Sequence, residues 1–200
     1  MPPRLTGLRR SRPGRIALEV AGRPWRVVPD EIVVRCGLAA GRELERPLLR
    51  AIRRELRRVE ALDLAARTLG HRDLSRQRLA ERLEERGVAA REREGTLTTL
   101  AEAGILDDAR AARARAAALA ERGWGDAALE ARLEADGFSA DLVRAAVAEL
   151  PPESVRARDA AARAQDPRRA WRYLARRGFS PDAIESALGA LDEEGQDGLG

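Results

Sequence analysis

Ile16, Leu18 and Val20 alternate with Ala17 and Glu19, Ala21-Gly22 offers a turn, and Trp25 and Val27 resume the alternation. A period of two on both sides of a turn predicts a β-hairpin. Asp30 is placed to cap a short helix through Cys36, stopped by Gly37. Two strands are too few to stand alone, so they are expected to lean on that helix and on a long one beginning near Pro47. There Leu48, Leu49, Ile52, Leu56 and Val59 fall at helical intervals. Before the hairpin, residues 1–13 are basic, hold three prolines and show no apolar period, and are read as a flexible arm.

Beyond residue 60 the pattern is helical throughout, and it repeats. Leu83-Glu-Glu-Arg-Gly-Val88, Leu133-Glu-Ala-Asp-Gly-Phe138 and Leu174-Ala-Arg-Arg-Gly-Phe179 describe one corner three times, at intervals of 50 and 41 residues. Twelve residues before each glycine stands a helix-starting position, Ser75, Gly125 or Asp166, and Leu79/Leu83 and Leu129/Leu133 share one face. The glycine ends a helix in the left-handed conformation, and Ser139 and Ser180 stand ready to cap the next one, with Pro181 at its first position. An upstream helix, near 47–69, 108–122 and 153–164, completes each unit. The fold class is therefore mainly α, with tandem three-helix repeats in an elongated array and a small N-terminal β-hairpin. The expected segments are a basic arm (1–13), hairpin plus short helix (14–46), repeats at 47–107, 108–152 and 153–193, and a disordered tail (194–200).

Composition narrows the function. All 37 basic residues are arginine, and there is one His and one Cys. Without lysine there is no Walker A lysine and no Schiff base. One His and one Cys supply neither a multi-ligand metal site nor a disulfide. No cofactor, metal or catalytic residue is expected, and the chain is not read as an enzyme. No apolar run reaches the length of a membrane span, so no membrane partner is expected and the placement is cytoplasmic. Residues 1–60 carry 15 Arg against 7 acids, a net +8, while 61–150 and 151–200 sum to −3 and −1. A polyanionic partner fits that asymmetry.

Leu69-Gly-His-Arg-Asp-Leu-Ser-Arg-Gln-Arg-Leu79 with Leu83 and Gly87, Gly104-Ile-Leu-Asp-Asp-Ala-Arg110, Gly123-Trp-Gly125 with Leu133 and Gly137, and the Arg-Arg-Gly-Phe-Ser of 176–180 resemble, in that order, the RecX regulatory family. The likeness spans about residues 58–190. It implies a non-enzymatic protein that binds RecA filaments on DNA, lies in their helical groove, and restrains ATP hydrolysis, strand exchange and co-protease activity; the expected partners are the RecA filament and single-stranded DNA within or near it, and the expected state is a monomer. Homologous recombination, DNA repair and the SOS response would be its setting. The sequence departs from the family's pattern at Ala111, where members usually carry an aromatic.

Individual residues are weighed against plain structural roles. Asp107-Asp108 are read as caps of the helix they open, because adjacent helical residues diverge too far to chelate. Trp124 and Trp171 are read as core or inter-repeat packing, His71 as a corner residue, and Cys36 as a small apolar contact. Arg168, Arg169, Arg172 and Arg176 recur at spacings of three and four, and no acid lies between Pro167 and Pro181. With Tyr173 and Arg177 they form the expected partner-binding patch for RecA or DNA. Arg72 and Arg76 in the first repeat and Arg110 in the second join the candidates. Two other readings stay open: a direct DNA-binding protein, and a general helical-repeat adaptor.

Overall fold

In the computed structural model, which describes residues 2–70, 74–162 and 166–197 with side chains of the last helix to residue 189, the chain is mainly helical and opens with three antiparallel strands. Strands β1 (Leu5–Arg12), β2 (Arg15–Val20) and β3 (Arg23–Pro29) lie in sheet order β1-β2-β3. Helices follow as α1 (Asp30–Arg35), α2 (Arg46–Leu69), α3 (Arg76–Glu85), α4 (Ala90–Glu102), α5 (Asp108–Glu121), α6 (Asp126–Ala135), α7 (Ala140–Ala148), α8 (Glu153–Ala161), α9 (Pro167–Arg176) and α10 (Pro181–Asp197). No helix among the described residues is long and apolar enough to cross a membrane. The chain divides into two compact units, Met1–Arg67 with Gly87–Thr96, and Thr68–Arg86 with Leu97–Gly200. The division passes through the first expected repeat.

In the first unit, the expected hairpin is β2–β3. Ala21 and Gly22 both take positive φ, 49° and 75°, the backbone of the tight turn whose twist matches that of the strands. Segment 1–13 is a correction: residues 5–12 form a third strand where a flexible arm was expected. The prolines flank this strand rather than interrupt it, and the turn at Pro13-Gly14 returns the chain onto β2. Leu5 is fully buried. Its N–H donates to the Arg42 carbonyl at 2.9 Å and its carbonyl accepts from Gly41 N–H at 2.7 Å, so the strand's outer edge is covered at its start. Leu5, Leu18, Val28, Ile32 and Ile52 form the core with Cys36, Leu38 and Leu44, and Leu48, Leu49, Leu56 and Val59 pack against it. Sheet, α1 and α2 thus support one another as the apolar periods predict. Burial, then Glu55, pushes the Cys36 thiol up from its ordinary range, which suits an inert packing residue. Asp30 does not cap α1; it is the first helical residue, Pro29 precedes it, and no side chain bonds there.

In the second unit, α5, α6 and α7 enclose Ala111, Ala112, Ala116, Leu133, Phe138, Val143 and Ala146. The three helices α8, α9 and α10 enclose a second core around Ala157, Ala161, Ala170, Leu174, Phe179 and Ile184. Ala111 is buried inside the first of these, where a small side chain lets helices approach. Leu79, Leu83, Leu129 and Leu133 are all fully buried, as their spacing requires. The corner glycines Gly137 and Gly178, like Gly87 of the first unit, have positive φ, 84°, 79° and 77° respectively, a region that costs any other L-residue roughly 1 kcal/mol or more. α10 continues through Asp197, so residues 194–197 are helical rather than a disordered tail; residues 198–200 lie outside the described part.

Candidate partner-binding surface

Asp166 starts α9. Its carboxylate accepts from the Arg168 N–H at 3.1 Å, and Pro167 takes the first helical position, where no N–H is needed. Ala170 and Leu174, four apart, are the buried residues of the helix. Everything else on it is pushed outward, including Arg168, Arg169, Arg172 and Arg176. Trp171 is 47% exposed and Tyr173 39%. The packing role expected of Trp171 is therefore corrected: it follows Ala170 by one position, and one step turns a helical side chain about 100° away. Asp166, one residue outside the acid-free interval, reaches Arg169 at only 3.9 Å. Arg172 Nε donates to the Arg168 carbonyl at 3.3 Å. Among the described residues no carboxylate pairs with Arg168, Arg172 or Arg176.

Arg177 behaves differently. Its guanidinium lies 4.4 Å from the centroid of the Trp124 ring and 5.2 Å from that of Tyr173, and it donates to the Arg122 carbonyl at 3.1 Å. Arg132 covers Trp124 at 3.7 Å. Trp124 thus packs between repeats, as expected, held between cations, and Arg177 closes that seam instead of facing outward with the patch.

The seam is one of two built on a common plan. At the start of α3, the Ser75 hydroxyl donates to the corner carbonyl of Asp136 at 2.6 Å. At the start of α6, the Gly125 N–H donates to the equivalent corner carbonyl of Arg177 at 2.9 Å. Each helix start also receives an acid from the first turn of the next repeat. Asp108 accepts from the Arg76 N–H at 2.8 Å, and Glu153 from the Asp126 N–H at 2.7 Å. Glu153 further accepts from the Ser180 hydroxyl at 2.6 Å and its N–H at 3.3 Å, while that hydroxyl accepts from the Ala183 N–H at 3.3 Å. Arg156, its side chain 9% exposed, pairs with Asp126 and donates to the Trp124 carbonyl at 3.1 Å. Burial pushes the Asp108 carboxyl up, opposed by its bond from Arg76 N–H.

Only part of the expected capping survives. Asp107 caps its own helix, accepting from the Arg110 N–H at 3.0 Å, and Ser75 accepts from the Arg78 N–H at 3.1 Å. Asp108 instead serves α3, and Ser139 makes no side-chain cap bond. Of the remaining candidates, Arg76 sits at the Asp108 junction, and Arg110 donates back to the Ile105 carbonyl at 3.3 Å. Both stand on other helices, α3 and α5, than the α9 patch. Arg72 and His71 lie outside the described residues.

Sequence reasoning missed a cleft of about 600 Å³ between α3 and α5, where Arg78, Arg82, Arg115 and Arg122 surround a floor that includes Ala118 and Phe138. Arg78 is bonded to Glu81 at 2.7 Å, which holds the Glu81 carboxyl below the usual range, and Arg115 pairs with Asp136 at 2.8 Å. A spacing of four on α3, and of seven from Arg115 on α5 to Arg122 just past its end, carried the signal, but only the fold brings these arginines to one cleft.

The chain is similar to the protein named regulatory protein RecX of Halorhodospira halophila, with 32% identity over 146 residues that cover 68% of this chain and 91% of that protein. It is likewise similar to the protein of that name in Chromohalobacter salexigens, 34% identical over 135 residues, 63% of this chain and 89% of that protein. A crystal structure of regulatory protein RecX superposes with a TM-score of 0.77 at 18% identity, covering 92% of this chain and 98% of the other. A RecX structure from Lactobacillus salivarius gives 0.62 at 14% identity, covering 68% and 97%. Likeness at these structural identities speaks to the fold. No protein-family model matches the chain.

Proposed function

Because the chain belongs to the RecX family of regulatory proteins, we propose that it binds RecA filaments on DNA and, without catalysing a reaction, lowers RecA ATP hydrolysis, strand exchange and co-protease activity. The observation that carries this reading at the residue level is the outer face of α9. Arg168, Arg172 and Arg176 have no carboxylate partner among the described residues, and they stand beside exposed Trp171 and Tyr173. Planar guanidiniums bind carboxylates or phosphates through two parallel hydrogen bonds, and exposed aromatics recur at the centres of interfaces. A protein bound along a filament favours one arrangement of subunits over others, so turnover changes through a shift in populations. Solvated surface is the ordinary fate of such arginines; the coincidence with two exposed aromatics favours a partner.

The test is RecA ATP hydrolysis on single-stranded DNA, with and without substoichiometric protein. A fall in rate together with co-sedimentation on filaments supports the reading. An unchanged rate with no filament association defeats it.

A further inference from the structure

We infer that the N-terminal sheet carries a binding surface for a strand of single-stranded nucleic acid, with Trp25 as the platform on which a base stacks. The observations lie in the first unit, on residues not assigned to the partner-binding surface above. In the register of β2 with β3, Leu18 stands opposite Arg26 and Glu19 opposite Pro24. Trp25 is thus the extra residue of a bulge, a device that re-aims a side chain, and it is 40% exposed. The sheet buries Leu18 and Val28 on one face. The cross-strand row Arg9–Ala17–Val27 therefore lies on the other, and Val27 is 44% exposed.

The strands that carry this aromatic are basic. From Pro2 to Pro29 the only acid is Glu19, against seven arginines. Arg4 is neutralised by Glu43 at 2.6 Å and Arg9 by Glu19 at 3.1 Å. Arg10, Arg12, Arg15, Arg23 and Arg26 have no carboxylate partner among the described residues; of these, Arg12 and Arg15, opposite one another, share the face of Ala17 and Val27, while Arg10, Arg23 and Arg26 stand in the rows of Ile16, Val20 and Leu18. Like charges crowded on three short strands repel one another and do nothing for folding, and an exposed indole forgoes the gain of burial. A single strand of nucleic acid answers both features, because its phosphates meet the guanidiniums and an unstacked base covers the indole. Duplex DNA keeps its bases stacked and offers no free face. An anionic membrane calls for a broader apolar surface than Trp25 and Val27 provide. The inference gives the DNA side of the proposed function to the first unit and leaves α9 for the protein partner; it rests on that reading only for its setting, since binding to a bare strand needs no RecA.

The experiment uses the full chain and a fluorescent oligothymidylate of about 20 nucleotides, followed by anisotropy as salt is raised. Trp25→Ala is expected to weaken binding about tenfold, and Trp25→Phe to recover most of it. Arg12→Ala with Arg15→Ala is expected to make the plot of log affinity against log salt shallower by about 1.4, near 0.7 for each phosphate that is no longer neutralised. Unfolding midpoints of the variants serve as the control for folding. The inference is overturned if the parent does not bind the oligonucleotide, or if Trp25→Ala binds within twofold of the parent. It is equally overturned if polyglutamate competes as well as the oligonucleotide does, since the surface is then one for acidic protein. Loss of the RecA effect with oligonucleotide binding intact would overturn the proposed function alone.

Discussion

The two inter-repeat junctions of the second unit follow one plan with different materials. At the junction of α3 with the corner before Phe138, a serine hydroxyl bridges the gap: Ser75 holds the Asp136 carbonyl at 2.6 Å, and Asp108 satisfies a single N–H. At the junction of α6 with the corner before Phe179, backbone meets backbone through Gly125 and Arg177, and Glu153 serves three donors. A side chain at position 125 would run into the backbone of Gly178 and Phe179, which explains why glycine stands where the preceding repeat has serine. Gly178 in turn would place a β-carbon 2.6 Å from that of Ala128. The second junction is packed by Trp124 and its guanidiniums, and it borders a cleft of about 410 Å³ lined by Gly123, Arg156, Asp159 and Tyr173. The first opens beside an arginine-lined cleft. Repetition of sequence therefore fixes where the repeats meet, while one or two residues at each meeting decide whether side chain or backbone bridges it.

Exchanging the two helix-start residues is the strongest way to break this comparison. Gly125→Ser imitates the first junction and is expected to cost about 3 kcal/mol or more, because the obstruction is backbone. Ser75→Gly imitates the second and is expected to cost about 1 kcal/mol, the loss of a cap and one hydrogen bond. Urea unfolding measures both, and equal costs would contradict the distinction. Next come the acids. Glu153→Ala leaves three donors without their acceptor and is expected to cost about 2–3 kcal/mol, against about 1 kcal/mol for Asp108→Ala.

The smallest effect concerns pH. The Asp108 carboxyl is raised by burial, so between the ordinary carboxylate range and its raised value the folded chain holds a proton that the unfolded chain has released. Asp108 therefore adds stability as pH falls through that window and withdraws it as pH rises. Asp108→Asn keeps an acceptor oxygen for the Arg76 N–H and removes this component, so the stability of the parent relative to the variant should fall as pH rises from the ordinary carboxylate range through the raised value. Glu92 works in the other direction, since its bond from Arg57 at 3.0 Å holds its carboxyl low. That contribution is present above the ordinary carboxylate range and lost as pH falls through the lowered value; it is common to parent and variant.

Much of this architecture is legible in the chain because it is local. The glycine corners, the Leu79/Leu83 and Leu129/Leu133 faces, the Ser75 and Asp166 caps and the turn at Ala21-Gly22 each depend on residues within a few positions of one another. The β1 strand was hidden because its order comes from partners elsewhere: β2 on one side and the Arg42 carbonyl on the other, 37 residues along from Leu5. The acid latches were hidden for the same reason, spanning 32 and 27 residues. On α9 the arginine spacing showed a patch, but which aromatic it kept and which arginine it lost depended on the neighbouring repeat. Trp171 stays outside while Arg177 turns inward onto Trp124.

The central claim, that the outward arginines of α9 engage a RecA filament, is tested most directly by RecA ATP hydrolysis on single-stranded DNA with the parent protein and with the triple variant Arg168→Glu, Arg169→Glu and Arg172→Glu. The account predicts a reduced hydrolysis rate with the parent and a rate restored towards that of RecA alone with a folded variant. Equal reduction by both proteins would contradict it.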